Sequence, residues 1–155
     1  MYQQIVVGTD GSAGANVAVD AAIELARLTG ARLQVVHAHN VATATGGEFG
    51  APPFDLVEVN EAIHSEGQRI CDQAISRADR AGVQAEAHCV GGHASEELLR
   101  VATAASADLV VVGNRGMTGM RRFVLGSVPN KVAHSCSASV LIVDTSQART
   151  RKDPP

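Results

Sequence analysis

Five short apolar segments alternate along the chain with longer segments in which apolar residues recur at helical spacing. The apolar segments run from Ile5 to Gly8, Arg32 to Ala38, Gln84 to Val90, Leu109 to Gly113 and Ser139 to Asp144. The first, fourth and fifth are continuous and rich in β-branched residues, as expected of strands buried on both faces. The third is the weakest, because polar residues alternate with apolar ones in it. We therefore predict five strands.

The segments between the predicted strands each present one apolar face. The predicted faces consist of Val17, Ala21, Leu25 and Leu28; of Val59, Ile63, Ile70, Ala74 and Ala78; and of Leu98, Val101, Ala102 and Ala105. Gly30 occupies the position of a C-terminal cap, and Gly82 follows the second helix. Ser95 precedes the third helix, with two glutamates in its first turn. A short fourth helix is predicted from Val128 to His134.

Strands that alternate with helices predict an α/β fold, built on a parallel sheet with right-handed crossover connections. Two segments do not fit this pattern. The segment from Asn40 to Phe54 is rich in Gly, Thr, Ala and Pro, which predicts a long mobile loop after the second strand. The segment from Gln147 to Pro155 is polar, and we predict a disordered tail after one domain of residues 1–146.

The composition narrows the class of protein. At 155 residues the chain is most simply one domain, and its 45% of hydrophobic residues suffice for a core. Only 3% of the residues are aromatic, so this core must consist of Ala, Val, Leu and Ile. The formal net charge of −3 argues against a nucleic-acid-binding surface.

Two further features predict a cytoplasmic protein without a membrane anchor. No stretch approaches the roughly 18 apolar residues of a membrane helix, and the segment from Met1 to Gln4 lacks the basic region of a signal peptide. The cysteines Cys71, Cys89 and Cys136 are odd in number, widely spaced and without a CxxC pair. We therefore expect reduced thiols that act as small buried hydrophobes.

A spaced glycine segment carries the most specific chemistry. Gly113-Asn114-Arg115-Gly116 ends the fourth apolar run, and Gly126-Ser127-Val128-Pro129 follows after nine residues. Glycine lets backbone N–H groups approach an anion without a Cβ in the way. The Gly-Ser-Val-Pro step has the character of a helix start, where unpaired N–H groups and the helix dipole favour phosphate. This segment predicts a phosphate cradle and hence a nucleotide site.

The loop after the first strand, Gly8-Thr9-Asp10-Gly11-Ser12, is the second candidate. If the strand order is 3-2-1-4-5, the order reverses between strands one and four, where doubly wound sheets bind ligands. The Asp10 loop and the Gly113 loop would then line one crevice. The alternative is that Asp10 and Ser12 only cap the following helix.

Two common nucleotide motifs do not occur in this chain. There is no G-x-x-x-x-G-K-[ST], which excludes a P-loop NTPase, and Gly8, Gly11 and Gly14 do not fit G-x-G-x-x-G. A cradle built here must therefore use backbone amides and Ser127, with no lysine at the Walker position.

The glycine spacing resembles a known signature. Gly113, Gly116, Gly126 and Ser127 match the Gly-x2-Gly-x9-Gly-Ser motif of ATP-binding universal stress proteins. Three strand segments are also similar to that family, namely Ile5 to Ser12, Val35 to Ala38 and Ser139 to Val143. The resemblance covers residues 3 to 145. One departure is Gly92-His93-Ala94, where the family often has Gly-x-Pro.

The resemblance implies a three-layer, Rossmann-like fold with a five-stranded parallel sheet in the order 3-2-1-4-5. It implies that ATP is bound, often with Mg²⁺ or Mn²⁺ at the phosphates. Asp10 would contact the ribose or the metal, the backbone around Ala38 and His39 would meet the adenine, and Ser127 would hold phosphate. The full implied site comprises Thr9, Asp10, Gly11, Ser12, Ala38, His39, Val112, Gly113, Asn114, Arg115, Gly116, Gly126, Ser127, Val128 and Pro129. It further implies a homodimer through the last strand, with Val140, Leu141, Ile142 and Val143.

Weaker candidates remain among the basic and imidazole side chains. His37-x-His39 has the spacing of a metal pair at a strand end, but no carboxylate is close in sequence. The histidines at 64, 88, 93 and 134 are scattered and are interpreted as ordinary surface or packing residues. Arg121 and Arg122 could form a basic flap over phosphates or be simply solvated, and the sequence favours neither.

The expected function is that of an ATP-binding regulatory protein with slow or no hydrolysis. Phosphoryl transfer needs a positioned nucleophile and charge clamps, and the sequence offers a cradle and one carboxylate without an evident base. Three alternatives stay open: a weak ATPase or adenylate-transferring hydrolase, a signalling module that prefers cyclic AMP, and a dimeric interaction protein whose site stays empty.

Overall fold

The computed structural model of the protein describes residues 1–43, 55–114 and 124–146. Each predicted strand is confirmed with ends within one residue of the prediction. The elements in chain order are β1 (Gln4–Gly8), α1 (Ala13–Thr29), β2 (Arg32–His39), α2 (Leu56–Arg80), β3 (Ala85–Gly91), α3 (Ala94–Ala104), β4 (Leu109–Gly113), α4 (Ser127–Ser135) and β5 (Ser139–Val143).

The five strands form one parallel sheet in the order β3-β2-β1-β4-β5, which confirms the predicted α/β fold. Ile5 of β1 pairs with Leu33 of β2 on one side and with Leu109 of β4 on the other. The chain therefore places β2 and β3 on one side of β1, and then β4 and β5 on its other side. The reversal leaves the carboxyl ends of β1 and β4 side by side.

Two hydrophobic clusters cover the two faces of the sheet. Ile5 and Val7 pack into the cluster with α1 and α2, and Val6 packs into the cluster with α3 and α4. These three side chains are completely buried. Because successive residues of a strand point to opposite faces, β1 is buried on both sides and the fold has three layers.

The buried face of α1 differs from the predicted one. Val17, Ala21 and Leu25 are only half-buried, and Leu28 is 65% exposed. The side chains that pack on the sheet are instead Ala15, Ala18, Val19, Ala22, Ile23 and Ala26. Alanine allows the helix backbone to approach the strands closely, and the prediction gave too much weight to the larger apolar residues.

Two helix ends test the predicted caps. Gly30 ends α1 with φ of 72°, and its N–H bonds the carbonyl of Ala26, which confirms the C-terminal cap. The start of α3 was predicted wrongly at Ser95. His93 occupies the N-cap position without a side-chain hydrogen bond, and the helix begins at Ala94.

The prediction that β5 is buried on both faces is wrong. Among the described strands β5 pairs only with β4, so it forms an edge of the sheet, as the predicted strand order requires. Leu141 and Ile142 are each 36% exposed. A continuous apolar run indicates a strand with apolar faces, but it does not distinguish a central strand from an edge strand.

The cysteines are free thiols, as predicted. Cys71 lies in the core, and burial raises the pKa of its thiol to about 12. Cys89 and Cys136 are half-buried.

Three predicted features lie wholly or partly outside the described residues. They are residues 44–54 of the predicted loop, the pair Arg121 and Arg122, and the predicted tail from residue 147. At the described start of the loop, Asn60 of α2 bonds both the N–H and the carbonyl of Ala42. None of the helices in the described ranges combines the length and the apolar character that a membrane span requires.

Candidate functional site

A cavity opens at the carboxyl ends of β1 and β4, at the point where the strand order reverses. Its volume of about 160 Å³ is comparable to the roughly 150 Å³ cavity that accommodates benzene in a protein core. The residues that line it are Gly8, Thr9, Asp10, Ala15, Val36, Ala38, Ala94, Leu98, Val112, Gly113, Gly126, Ser127, Val128 and Pro129. The two loops that the sequence singled out therefore meet at one cavity.

The turn after β1 is held from two sides. The N–H of Thr9 donates to the carbonyl of Val36, with N and O 2.9 Å apart. Nδ1 of the buried His37 lies 3.0 Å from the carbonyl oxygen of Thr9. Since a carbonyl only accepts, His37 must carry its proton on Nδ1. Both bonds fix the turn from which Asp10 reaches the cavity.

The four predicted residues of this turn divide into two groups. Thr9 and Asp10 line the cavity, whereas Gly11 and Ser12 do not. Ser12 caps α1, because its Oγ accepts a hydrogen bond of 3.1 Å from the N–H of Ala15. Oδ1 of Asp10 in turn accepts from the N–H of Ser12 at 2.9 Å. Ser12 therefore acts as the helix cap, as in the alternative interpretation. Asp10 stabilises the turn through its bond to Ser12 and also lines the cavity.

Gly11 is required by the shape of the turn. Its φ is +77°, in the left-handed region that favours glycine. A Cβ built there would also lie 2.8 Å from Cδ1 of Ile70 in α2. Gly11 therefore determines the conformation of the turn, although it does not line the cavity.

The start of α4 forms the opposite wall. Gly126 is the N-cap, and no side-chain hydrogen bond caps this helix within the described part of the chain. Pro129 has no N–H, and the N–H of Asn130 already donates to the carbonyl of Gly126. The N–H groups of Ser127 and Val128 belong to the first turn, where an α-helix has no internal acceptor for them. Such a helix start favours an anion.

Asn114 is placed behind this wall and does not line the cavity. Its carbonyl accepts from the N–H of Gly126 at 3.0 Å. Its side-chain Oδ1 accepts from the hydroxyl of the buried Thr145 at 2.7 Å, and its Nδ2 donates to Asp144 at 3.1 Å. Arg115 and Gly116, the next predicted site residues, lie outside the described residues.

The remaining surface of the cavity is mainly apolar. Of the residues predicted there, Ala38 and Val112 line it, and His39 instead faces α2. Ala15, Val36, Ala94 and Leu98 also line it and were not predicted, and Gly8 lines it as the first residue of the predicted loop. A period of two links Val36 to Ala38, and a spacing of four links Ala94 to Leu98. These spacings were available in the sequence, but nothing in it placed α3 beside β2.

An ion pair joins the two helices that form this wall. Nζ of Lys131 in α4 lies 3.0 Å from Oε1 of Glu96 in α3. The hydrogen bond from this ammonium lowers the pKa of the Glu96 carboxyl. Both side chains are about half exposed, so the pair contributes little to stability.

Asp10 is the one charged side chain among the described residues that line the cavity. Mg²⁺ is commonly bound by one or two carboxylates together with substrate phosphates and water. A single carboxylate facing an anion-favouring helix start fits that coordination. The hydroxyls of Thr9 and Ser127 are the other polar side chains on the lining.

His37 and His39 do not form a pair of ligands. Their ring centroids are 6.3 Å apart, and Nδ1 of His37 already forms a hydrogen bond with the carbonyl oxygen of Thr9. His37 is therefore a residue that positions the turn before Asp10, a role that its sequence spacing did not predict.

Comparison with known proteins agrees with this architecture. A model of the universal stress protein family matches residues 1–144. Universal stress protein YxiE of Bacillus subtilis is 34% identical over 147 residues, which cover 92% of this chain and 99% of the relative. A crystal structure of a universal stress protein in complex with cAMP is 35% identical with a TM-score of 0.69, covering 94% of this chain and 98% of that chain.

A more distant structure shares the fold alone. Universal stress protein UspA from Lactobacillus plantarum is 20% identical with a TM-score of 0.78, covering 92% of this chain and 97% of that chain. The match of the family model over nearly the whole described chain, together with the 34% identical relative, shows the affiliation. The chain belongs to the universal stress protein family.

Proposed function

We propose that this protein binds ATP in the cavity between β1 and β4 and acts as a cytoplasmic regulatory protein in a stress response. The observation that carries the proposal is the position of the start of α4, which no described side chain caps and which faces the same cavity as the Asp10 carboxylate. An anion-favouring helix start and a carboxylate suited to a divalent cation are complementary to the two parts of a metal-bound triphosphate.

The proposed contacts follow the chemistry of the lining. The apolar surface of Val36, Ala38 and Leu98 suits a planar adenine ring. The backbone N–H groups of Ser127 and Val128, with the Ser127 hydroxyl, would hold the phosphates. Asp10 would hold Mg²⁺ or Mn²⁺ at the phosphates, and the metal would neutralise part of their charge. Arg115 and Gly116 belong to the proposed site through the family resemblance alone.

Slow or absent hydrolysis is part of the proposal. In-line attack on a phosphate needs a residue that orients the nucleophile and a cationic group that stabilises the developing charge. Among the described lining residues, Asp10 is the sole charged group and there is no cation. If Asp10 holds the metal, the described lining offers no second carboxylate to act as the base. A weak ATPase is the alternative, and turnover that disappears in Asp10→Ala would support it.

Cyclic AMP is the second candidate ligand, and one specific observation favours it. The 35% identical structural relative is a complex with cAMP. A cyclic nucleotide carries one phosphate, so it would use less of the α4 start than ATP. Direct competition between ATP and cyclic AMP distinguishes the two proposals.

We also propose that β5 mediates a homodimer. Its edge is unpaired within the described chain, and its apolar residues Leu141 and Ile142 are exposed. An exposed apolar edge strand favours pairing with a second strand.

Calorimetry on the full chain tests the nucleotide proposal. ATP with Mg²⁺ should bind with a dissociation constant in the micromolar range. Ala94 is exposed and lines the cavity at the start of α3, so Ala94→Trp would obstruct the cavity without overpacking the core. Ala104→Trp, at the exposed end of the same helix, is the matched control. No heat with ATP, or equal affinity in both variants, would contradict ATP binding in this cavity.

A further inference from the structure

Three side chains with metal-ligating atoms converge beside the cavity and are not used by it. They are His39 at the end of β2, His64 in α2 and Cys89 in β3, and their ligand atoms all lie within 4.8 Å of one another. They come from three different elements, so their proximity is a property of the tertiary structure.

The register of the sheet and the packing of α2 create this convergence. In the parallel pairing of β2 and β3, His37 is opposite Cys89, and His39 is opposite Gly91. Residues two apart on a strand share a face, so His39 and Cys89 lie on the face that α2 covers. A Cβ on Gly67 of α2 would lie 2.7 Å from Sγ of Cys89. His64 precedes Gly67 by about one helical turn and therefore reaches the same strands.

Two of the three distances in this cluster are close to the edges of a metal tetrahedron, and the third is within 4.8 Å. Nε2 of His39 lies 3.3 Å from Nδ1 of His64, and Sγ of Cys89 lies 3.8 Å from the same Nδ1. A tetrahedral Zn²⁺, with bonds of about 2.0–2.1 Å to nitrogen and about 2.3 Å to sulfur, separates two nitrogens by about 3.3 Å and nitrogen from sulfur by about 3.6 Å.

The hydrogen bonds within this cluster are long. Nδ1 of His64 has either one proton or one lone pair in the ring plane, so it can bond His39 or Cys89 and not both. The Cys89 thiol can instead donate to the carbonyl oxygen of His64, with Sγ and O 3.8 Å apart. A cation that accepts one lone pair from each of the three side chains uses all three ligand atoms at once.

We propose that His39, His64 and Cys89 bind one transition-metal ion of the Zn²⁺ type, with water in the fourth position. Two imidazoles and a thiol are ligands that suit zinc and are poor ligands for Mg²⁺. On binding, the Cys89 thiol transfers its proton to solvent and its sulfur bonds the metal as the thiolate. His64 is exposed, which leaves a path for the ion to enter.

The site is separate from the nucleotide cavity although it is adjacent. His39 follows Ala38 directly, and Ala38 lines the cavity while His39 does not. The metal site needs neither ATP nor Asp10, and it is therefore tested with the metal alone.

The experiment uses the full chain, reduced and free of nucleotide. Zn²⁺ is titrated against a chromophoric chelator, and Co²⁺ is titrated with absorption spectroscopy. We expect one ion per chain and a sulfur-to-cobalt charge-transfer band. His64→Ala and Cys89→Ala should each weaken Zn²⁺ binding by at least about tenfold, and Cys89→Ala should abolish the band.

Matched controls separate this site from incidental binding. His134→Ala and Cys136→Ser remove an exposed histidine and a half-buried cysteine elsewhere, and both should leave Zn²⁺ affinity within about twofold of wild type. Because His64 is exposed, His64→Ala should keep the fold, and circular dichroism checks this. Wild-type protein that fails to retain Zn²⁺ at micromolar concentration, or a folded His64→Ala with undiminished affinity, would overturn the proposal.

Discussion

The carbonyl oxygen of Asn114 lies 3.0 Å from the backbone nitrogen of Gly126 and accepts its hydrogen bond. This contact joins the end of β4 to the N-cap of α4. The side chain of Asn114 is anchored at the same time to Thr145, just after β5. Asn114 therefore holds the start of α4 at the cavity and acts as a positioning residue.

The first prediction concerns this anchor. Asn114→Ala leaves the hydroxyl of the buried Thr145 without its acceptor, so we expect a loss of about 1–3 kcal/mol in the free energy of unfolding. Thr145→Val removes the hydroxyl as well, and the double variant should therefore be less destabilised than the sum of the two single variants. Urea denaturation of the four proteins measures the coupling. Strict additivity would contradict the role given to this hydrogen bond.

The second prediction separates the fold from the proposed ligand at Gly126. A Cβ at Gly126 meets the carbonyl of Asn114 and the ring of Pro129 at 3.5 Å, which is ordinary contact, and φ is −59°. Gly126→Ala should therefore melt within a few degrees of wild type. The added methyl group narrows the helix start proposed to hold phosphate, and ATP affinity should fall about tenfold, or 1.4 kcal/mol. Unchanged affinity in calorimetry would argue against phosphate binding here.

The third prediction compares two glycines with similar backbone angles. Gly11 has φ of +77° and Gly82 has φ of +72°, but a Cβ meets nothing within 4 Å at Gly82. Gly82→Ala should lower the free energy of unfolding by about 1–2 kcal/mol through the left-handed conformation alone. Gly11→Ala adds the collision with Ile70, which should cost a further 1–3 kcal/mol or so. Equal losses in urea denaturation would show that Ile70 relaxes freely.

The fourth prediction concerns the edge strand. Ile142→Lys places a charge on the exposed face of β5 and should convert a wild-type dimer into a monomer, as measured by light scattering. Leu28→Lys is the matched control, since Leu28 is an exposed apolar residue of α1. That variant should remain dimeric. A monomeric wild type, or a dimeric Ile142→Lys, would refute the proposed interface.

Much of the fold was readable from local patterns. The continuous apolar run from Leu109 to Gly113 became a strand with the predicted ends, and the glycine after α1 became its cap. These features depend on neighbours within one or two turns of chain, where steric and hydrogen-bonding preferences act directly. The two loops at Asp10 and Gly126 were located in the same way, because glycine and hydroxyl residues at strand ends are local signals.

The separate roles of the residues within those loops could not be predicted from the sequence. Asp10 and Ser12 look equivalent as turn residues, yet Ser12 bonds the N–H of Ala15 while Asp10 also lines the cavity. Asn114 lies inside the glycine motif and is turned towards Thr145. Which atom a polar side chain bonds depends on the partner that packing brings near it.

The sequence by itself determined the order of the elements, the parallel sheet and the loops that form the candidate site, because periodicity and glycine spacing are local. The tertiary structure alone decided which face of α1 is buried, how far Leu141 and Ile142 of β5 are exposed, and that His39, His64 and Cys89 converge. His64 lies 25 residues from each of the other two. No local sequence preference acts over that separation. The register of β2 with β3 and the packing of α2 on these strands bring the three side chains together.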